Sequence, residues 1–548
     1  MTSTTLTDAC EKTGRLAERC ARKALGVWLG IRVHCDALFA HPRAYLVALW
    51  WRICRKRVRA RAQLAPLLGH SASAYRLWLL RNGAVSAQPV TASPIVVLVD
   101  MTTGQHLPGH LELTLRSIAE QGLSAHLIGA DEDTSLASKI PLIDWQSDPW
   151  LMPIAPGDRL QAGAADAYGK AIHDGRRLIY ADDDLLDQQG KRTAPHFKPA
   201  WNSELFAHFD FLTGACIIRA TQADLAACSG PDWAARLTAH VAGTPPPPAH
   251  LPIILHHRRT RPAPSIPATP AHVDQELPPV TVIIPTRNRA DLLKTCLAGI
   301  DRTDYPALDI IIVDNDSDEP ESLAYLDALP ARIKVLRHPG PFNFSAMNNR
   351  AAQLGQGRLL CLLNNDIEVT EPKWLMTMAA QAMRDEVGAV GAHLLYPDGR
   401  TQHAGVVTGI GGGAAHAHRL LRPDEQGYFQ RHVLPQFVSA VTAACLVVRR
   451  DRFMAVGGLD EANFAVAFND VDLCLRLNQR GWQSFYEPRA RLIHHESVSR
   501  GLDRDPVGAR RLARELAALK ANWSTDMMPD PFHHPNLSRF SERFVVRL

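Results

Sequence analysis

The sequence predicts an α/β protein built from two successive doubly wound, mostly parallel sheets, preceded by a basic helical segment. Three observations carry this expectation. Strand-sized apolar runs alternate with helix-spaced segments from Pro94 onward. The same order of strand, helix, strand ending in Asp, and strand beside an acidic cluster occurs twice. A Pro-rich stretch, residues 243–279, separates the two occurrences. A chain of 548 residues also exceeds one core, since single cores stop growing near ~250–300 residues.

Composition narrows the class. The apolar share of 46% and charged share of 21% are those of an ordinary globular protein. A formal net charge of +4 does not point to nucleic acid. The charge is uneven, however: residues 1–70 hold 13 Lys or Arg against Asp8, Glu11, Glu18 and Asp36. The 10 cysteines form no C-x-x-C pair. In a chain this long they read as reduced, mostly buried thiols, Cys361 and Cys445 among them, which predicts a cytoplasmic setting. The opening M-T-S-T-T-L-T-D lacks the layout of a signal peptide. No apolar run approaches the ~18–20 residues that span a bilayer.

The elements follow in order. Residues 1–93 read as a basic helical segment. Leu25–Ile31 and Tyr45–Ile53 carry Trp28, Trp50 and Trp51, and Arg52, Arg55, Lys56, Arg57, Arg59 and Arg61 follow. Aromatic and aliphatic side chains beside a dense basic run suit peripheral association with an anionic membrane, here its cytoplasmic face. A packing segment with a solvated basic face is the other reading. Residues 94–260 read as a first α/β domain. It has strands at Pro94–Asp100 and Ala125–Gly129, a helix at Leu111–Gln121, and a strand Leu178–Tyr180 leading into Asp182, Asp183 and Asp184. Residues 261–279 read as a stiff Pro-rich linker, with the main boundary near residue 270. Residues 280–548 restart the order with a strand Val280–Ile284, a helix Ala290–Arg302 and strands Ile310–Val313 and Leu359–Leu363, and end in a helical tail.

Ligands of open α/β sheets sit at the carboxyl ends of the strands. Three polar clusters of the second half fall there: Pro285-Thr286-Arg287-Asn288-Arg289, Asp314-Asn315-Asp316-Ser317 and Asn364-Asn365-Asp366. Each alone is a common turn sequence, but three on one sheet form a specific signal. A nucleotide diphosphate needs a divalent cation, Mn²⁺ or Mg²⁺, held by one or two carboxylates, and Asp366 stands where one is required. Asp470 and Asp472 in F-N-D-V-D-L-C-L-R open a helix whose dipole keeps a carboxylate ionised. Sugar transfer with inversion needs one such base at the acceptor hydroxyl, and Asp470 is the candidate. His494-His495 follows an apolar strand, and His494 is favoured as a further metal ligand.

At this point the residues resemble family 2 glycosyltransferases of the GT-A fold, nearest to bacterial enzymes of O-antigen and exopolysaccharide assembly, rhamnosyltransferase-like members included. The resemblance rests on V-T-V-I-I-P-T-R-N-R, I-I-V-D-N-D-S, F-N-F-S-A-M-N-N, L-L-N-N-D-I-E-V, Y-P-D-G-R-T-Q-H-A-G, F-N-D-V-D-L-C-L-R, H-H-E-S-V-S-R-G and D-P-F-H-H-P-N-L-S, spread over roughly 260 residues. It implies a nucleotide-sugar pocket formed by Pro285, Thr286, Arg287, Asn288, Asp314, Asn315, Asn348, Asn364 and Asn365. It implies a divalent metal on Asp366, His494 and Asn364, and Asp470 as base. The partners implied are a nucleotide-sugar donor and a saccharide or lipid-linked acceptor. Two positions depart from the family pattern: Asn364 replaces the first Asp of the D-x-D metal motif, which lowers metal affinity, and Asn469 replaces a frequent Glu.

The first half resembles the same family more loosely. L-I-Y-A-D-D-D-L-L-D-Q-Q-G-K-R followed by H-F-K-P-A-W-N-S-E-L is similar to the metal-motif segment of tandem enzymes, which implies a second site at Asp182 and Asp184. W-L-M-P-I-A-P-G-D-R-L is similar to the segment just upstream. Asp232 is its candidate base, L-P-I-I-L-H-H-R-R its candidate late His segment, and Met101-Thr102-Thr103 replaces the Pro-Thr-Arg loop. Two alternatives stand beside a single active domain: a bifunctional enzyme with two sites, and a glycan-binding scaffold of two decayed domains. A nucleotidyltransferase would show a Gly-rich phosphate loop after its first strand, and P-T-R-N-R is not one.

Overall fold

A computed structural model describes residues 4–83, 94–102, 107–129, 131–172, 175–269, 276–495 and 506–548, with side chains from residue 19 onward. Thr103 and the segment from Glu496 to Gly501, both weighed in the sequence, lie outside the described residues, as do 270–275 of the linker.

Four helices come first: α1 (Thr4–Ala40), α2 (Pro42–Ile53), α3 (Arg57–Gly69) and α4 (Ala74–Asn82). Leu29, Val33 and Leu77 pack α1 on α4, and Ala37, Tyr45, Ala48 and Leu64 close the α1–α2–α3 corner.

The first sheet holds β1 (Ile95–Asp100), β2 (Ser124–Ile128), β3 (Trp150–Ile154), β4 (Arg159–Leu160), β5 (Leu178–Leu186), β6 (Arg192–His196), β7 (Cys216–Arg219) and β8 (Ala249–Arg258). The second unit opens with β9 (Val280–Thr286), β10 (Leu308–Asp314), β11 (Ile333–Arg337), β12 (Leu359–Leu363) and β13 (Ile367–Val369). It continues with β14 (Val387–Leu395), β15 (Thr401–His403), the small hairpin β16 (Val406–Thr408) and β17 (Ala414–His416), then β18 (Gln436–Val438), β19 (Cys445–Arg449) and β20 (Gln483–His494).

The two sheets share one topology. The first runs β2-β1-β3-β7-β5-β8-β4, and the second runs β11-β10-β9-β12-β19-β14-β20-β13. Once β11 is set aside, every neighbour in one has its counterpart in the other. The pairing sense also matches: β1 is parallel to β2 and β3 as β9 is to β10 and β12. β7 and β19 are each the reversed strand between parallel ones. β4 returns antiparallel on β8 as β13 does on β20. This is the duplicated α/β architecture that the repeated element order predicts.

Both faces of each sheet are covered. Val280, Val282 and Ile284 of β9 enter one core and Ile283 the other, while Leu359, Cys361 and Leu363 of β12 oppose Leu360 and Leu362. Strands buried on both sides read as continuous apolar runs, which is why they were legible. Full burial of each such side chain is worth about 1.5–3 kcal/mol.

The units are docked. Asn202 exchanges hydrogen bonds with the backbone of Phe437, at 2.8 and 3.2 Å. Arg384 grips Glu204 with both terminal nitrogens, the longer contact at 3.0 Å. A mixed core of Tyr75, Trp78, Phe197, Ile254, Val407, Ile410, Leu537 and Phe544 joins helices, both units and the C-terminal tail.

One element differs from the sequence expectation. The strand ending before the acidic run instead continues through Asp182, Asp183 and Asp184, all buried. It survives because cations remote in sequence reach it. Lys198 Nζ lies 2.8 Å from Asp183, and Arg261 also donates to that carboxylate. Burial alone raises the Asp183 carboxyl, but Lys198, Arg261 and Arg258 overcome it and hold it far below the usual range. Removing one partner of a buried pair leaves an uncompensated charge. Asp183→Ala is therefore expected to destabilise the chain by about 3–5 kcal/mol, read from chemical denaturation.

Candidate active site

In the second unit a cavity of about 590 Å³ opens at the carboxyl ends of β9 and β12. Pro285, Thr286, Arg287, Asn288, Asn364, Asn365, Asp366, Asp470 and His494 all line it, so nine residues chosen from distant motifs meet in one place. Phe342, Phe344, Thr442, Ala443 and Arg511 complete much of the wall.

The loop after β9 is held in an uncommon shape. Asn288 and Arg289 both adopt left-handed φ, 56° and 55°, which costs a residue with a long side chain energy that its surroundings must return. Asn288 supplies the restraint. Its Oδ1 accepts from the backbone N–H of Asp318 and Glu319, and its own N–H donates to Ser317 Oγ at 2.8 Å. Asn365 Nδ2 donates to Thr286 Oγ1 at 3.0 Å, which links this loop to the one after β12.

Three residues from the same motifs lie outside the cavity wall. Asp314 binds Ser317 and, at 2.6 Å, Arg337 Nη1. Asn315 Nδ2 donates to the carbonyls of His338 and Gly340. Asn348 is fully buried and its Nδ2 donates to Phe344 O at 2.8 Å. In this structure each shapes the loops that carry the wall.

The metal candidates converge. His494 Nε2 lies 3.1 Å from Asp366 Oδ1 and 3.4 Å from Asn364 Nδ2. His494 Nδ1 meets Gln402 Oε1 at 2.7 Å. An amide oxygen only accepts, so Nδ1 carries a proton, and Nε2 is the nitrogen turned toward Asp366. Asp366 Oδ1 is buried and has no hydrogen-bond donor. Burial works to raise the Asp366 carboxyl, yet His494 and the adjacent backbone hold it below its ordinary value. A carboxylate oxygen and an imidazole nitrogen turned toward the same space are a donor set that suits a divalent cation. His495 turns away to Glu368 Oε2, 2.9 Å distant.

Asp470 stands on another wall, in the first turn of the helix Asn469–Gln479. Its Oδ2 accepts from Ala443 N at 3.0 Å and its Oδ1 from Val471 N at 2.8 Å. Desolvation outweighs these donors and raises its pKa. A buried Glu515 from the helix Pro506–Trp523 accepts from Val466 N and Ala467 N and so fixes the approach to that helix. Asp472 points elsewhere, to Arg476 and, at 2.9 Å, to Trp523 Nε1.

The shared topology shows what the first unit offers at the same place. Asp366 precedes β13, and Ile367 pairs with His494. Asp158 precedes β4 in the same way, and Arg159 pairs with His257. Asp158 and His257 are thus the counterparts of Asp366 and His494, in the A-P-G-D turn that the sequence reading set just upstream of the metal motif. Asp182 and Asp184 lie instead on β5, the counterpart of β14. Asp158 Oδ1 accepts from Arg259 N at 2.7 Å, with Arg258 Nε 3.8 Å from Oδ2, and burial pushes its pKa up to about 6. Asp184 is engaged by Tyr75, Arg192 and His257. Asp232 is exposed and pairs with Arg236 of its own helix at 3.0 Å. Asp182, His250 and His534 have ligand atoms within 4.8 Å of one another. Asn536 N, however, donates to His534 Nδ1 at 3.0 Å, which puts that ring's proton on Nε2, facing Asp182 Oδ2 at 2.8 Å. That close contact ties the C-terminal tail to β5.

The strand-end pocket is that of an open α/β sheet that binds a ligand at its carboxyl edge, and comparison with known proteins gives the family. Residues 281–455 match the family model "Glycosyl transferase family 2", so the second unit carries a family 2 glycosyltransferase domain. An uncharacterized protein, y4gI, of Sinorhizobium fredii is 36% identical over 422 residues, 68% of this chain and 46% of its own length. The O-antigen biosynthesis protein RfbC of Myxococcus xanthus is 34% identical over 408 residues, covering 66% of this chain and 31% of itself. An N-acetylglucosaminyl-diphospho-decaprenol L-rhamnosyltransferase of Mycobacterium tuberculosis is 27% identical over 247 residues, 41% of this chain and 78% of its own. The chain thus spans less than half the length of the first two. Among solved structures, a mannosyltransferase from Pyrobaculum calidifontis, in complex with GDP-Man and Mn²⁺, aligns with 47% of this chain and 68% of its own. It shows 18% identity and a TM-score of 0.34. Among the described residues, no helix is long and apolar enough to cross a membrane.

Proposed function

We propose that the second unit is an inverting glycosyltransferase. It moves a sugar from a nucleotide-diphosphate donor to a saccharide or lipid-linked acceptor during cell-surface polysaccharide assembly, at the cytoplasmic face of a membrane. The observation that carries this is the single cavity in which the Asp366–His494 pair and the Asp470 carboxylate share a space with the nucleotide-type loop. Asp366, His494 and Asn364 would hold a divalent ion, Mn²⁺ or Mg²⁺. When bound, it supplies positive charge to the departing diphosphate. The loop Pro285–Arg289 binds and orients the donor. Asp470 Oδ2 accepts the proton of the acceptor hydroxyl as that oxygen attacks the anomeric carbon from the face opposite the leaving group.

The reading favours one active site over two. In the first unit the Arg259 backbone N–H and the Arg258 guanidinium already face the Asp158 carboxylate, and Asp184 is saturated by side chains. A nucleotide-sugar panel with the purified chain tests this directly. Asp182→Ala is expected to keep turnover within a few-fold of the parent, whereas Asp366→Ala loses it. Loss in both variants, each with a parental melting profile, would overturn the single-site reading.

Gln402 was missed in the sequence because its hydrogen bond to His494 spans 92 residues. Partners that orient a metal-binding His typically matter 10–100-fold for affinity. Gln402→Ala is expected to weaken divalent-ion binding by about that factor, measured by calorimetric titration, with kcat at saturating ion close to parental.

A further inference from the structure

The N-terminal helices carry a feature that the transferase site does not use. Between α1 and α2 runs an open groove of about 860 Å³ with an apolar floor of Val27, Ile31, Leu38, Tyr45 and Leu49. Lys23, Arg52 and Arg81 stand on its rim. Beyond the groove, Trp28, Phe39, Trp50 and Ile53 are 50%, 83%, 63% and 74% exposed.

Two further facts bear on the occupant. Residues 19–83 hold 13 Lys or Arg and a single acid, Asp36. Asp36 is already engaged by Arg32 at 3.5 Å and by Ser71. The rim cations therefore have no carboxylate to neutralise them among the described residues. The second fact is Gly30, which lines the groove in the middle of α1. A mid-helix Gly is less favourable than Ala. A Cβ there would meet nothing within 4 Å, so no neighbour in the fold requires it. The missing side chain leaves the groove floor clear. An apolar trough whose rim cations have no acidic partner among the described residues is complementary to a molecule with a hydrocarbon chain and an anionic head.

We propose that this groove seats the hydrocarbon chain of one anionic lipid, with the phosphate headgroup held by Lys23, Arg52 and Arg81. The seat rests on the membrane-surface reading of the N-terminal segment and makes it specific. Ordinary surface adsorption would use the exposed aromatics and the whole basic field. The seat depends on the open floor at Gly30.

Gly30→Phe separates the two, since it fills the groove while adding apolar surface. The full chain is tested by flotation with vesicles of phosphatidylcholine alone and of equal parts phosphatidylcholine and phosphatidylglycerol. It is also titrated with monomeric short-chain phosphatidylglycerol, followed by tryptophan fluorescence. The parent is expected to float with the anionic vesicles only and to bind the monomer saturably. Gly30→Phe should lower monomer affinity at least tenfold, and Lys23→Glu/Arg52→Glu should do the same. If Gly30→Phe floats and titrates like the parent, the seat is overturned while surface adsorption stands. If the parent ignores anionic vesicles, both fail. A dimer in sedimentation that Gly30→Phe dissociates would assign the groove to a second copy and overturn the lipid.

Discussion

Asp470→Asn is expected to lower kcat about 10²–10⁴-fold, the contribution typical of a positioned general base, while nucleotide-sugar binding stays near parental in calorimetry. The carboxylate lines the same cavity as the donor loop and is held by Ala443 N and Val471 N, so its oxygens cannot swing away. Asn preserves shape and one acceptor but has no basicity. The stability consequence has a definite sign. Burial raises this carboxyl, so in the fold the charged form is disfavoured relative to the unfolded chain. That cost is present above the raised pKa and relieved as pH falls through it. Asn removes that charge cost but leaves Ala443 N or Val471 N without an acceptor, so the variant's stability relative to the parent should rise with pH as the parent's carboxyl ionises. The same shift predicts that the acid limb of kcat against pH falls at a higher pH than an ordinary Asp would give, and that this limb disappears from the variant's residual rate. Parental turnover in Asp470→Asn would assign the base elsewhere.

How much of this is legible in the sequence follows from the range of the forces involved. The strands were legible because Val280–Ile284 and Leu359–Leu363 are apolar on both faces, a local pattern set by burial. Asp366 and Asp470 were legible because each sits beside an element end, where polarity interrupts an apolar run. Asp314, Asn315 and Asn348 occupy the same kind of motif yet brace loops, since a strand-end polar group serves a ligand or a turn equally well. The acidic run at 182–184 drew attention by its density. Its partners Lys198, Arg261, His250 and His534 come from four separate places, and only the fold makes it a saturated internal cluster. Asp158 drew less, being one acid in A-P-G-D. Strand register, a long-range property, is what equates it with Asp366. Gln402 and Glu515 act across 92 and 49 residues on groups that neither adjoins in sequence.

Asp366→Ala carries the other large effect: divalent-ion-dependent transfer is expected to vanish, and with it saturable ion binding in a titration of the purified chain. The charge at this point works against its own burial. Asp366 Oδ1 is buried without a hydrogen-bond partner, with His494 Nε2 3.1 Å away, and a bound cation would compensate that buried charge. Removing the carboxylate removes the only acid among the three candidate ligands, leaving an imidazole and the Asn364 amide, too little for a hard cation. Asp366→Asn separates charge from shape. It keeps the side chain's volume and can receive a hydrogen bond, so it should fold like the parent, yet it offers no net charge. If Asp366→Asn retained parental turnover and ion affinity, the ion would have to be held by the donor's phosphates and His494 alone. The Asn364 departure from the family pattern sharpens the expectation. With one carboxylate in place of two, the parent itself should need more ion for half-maximal rate than Asn364→Asp, and that substitution is expected to shift the ion titration to tighter binding while leaving kcat at saturation nearly unchanged.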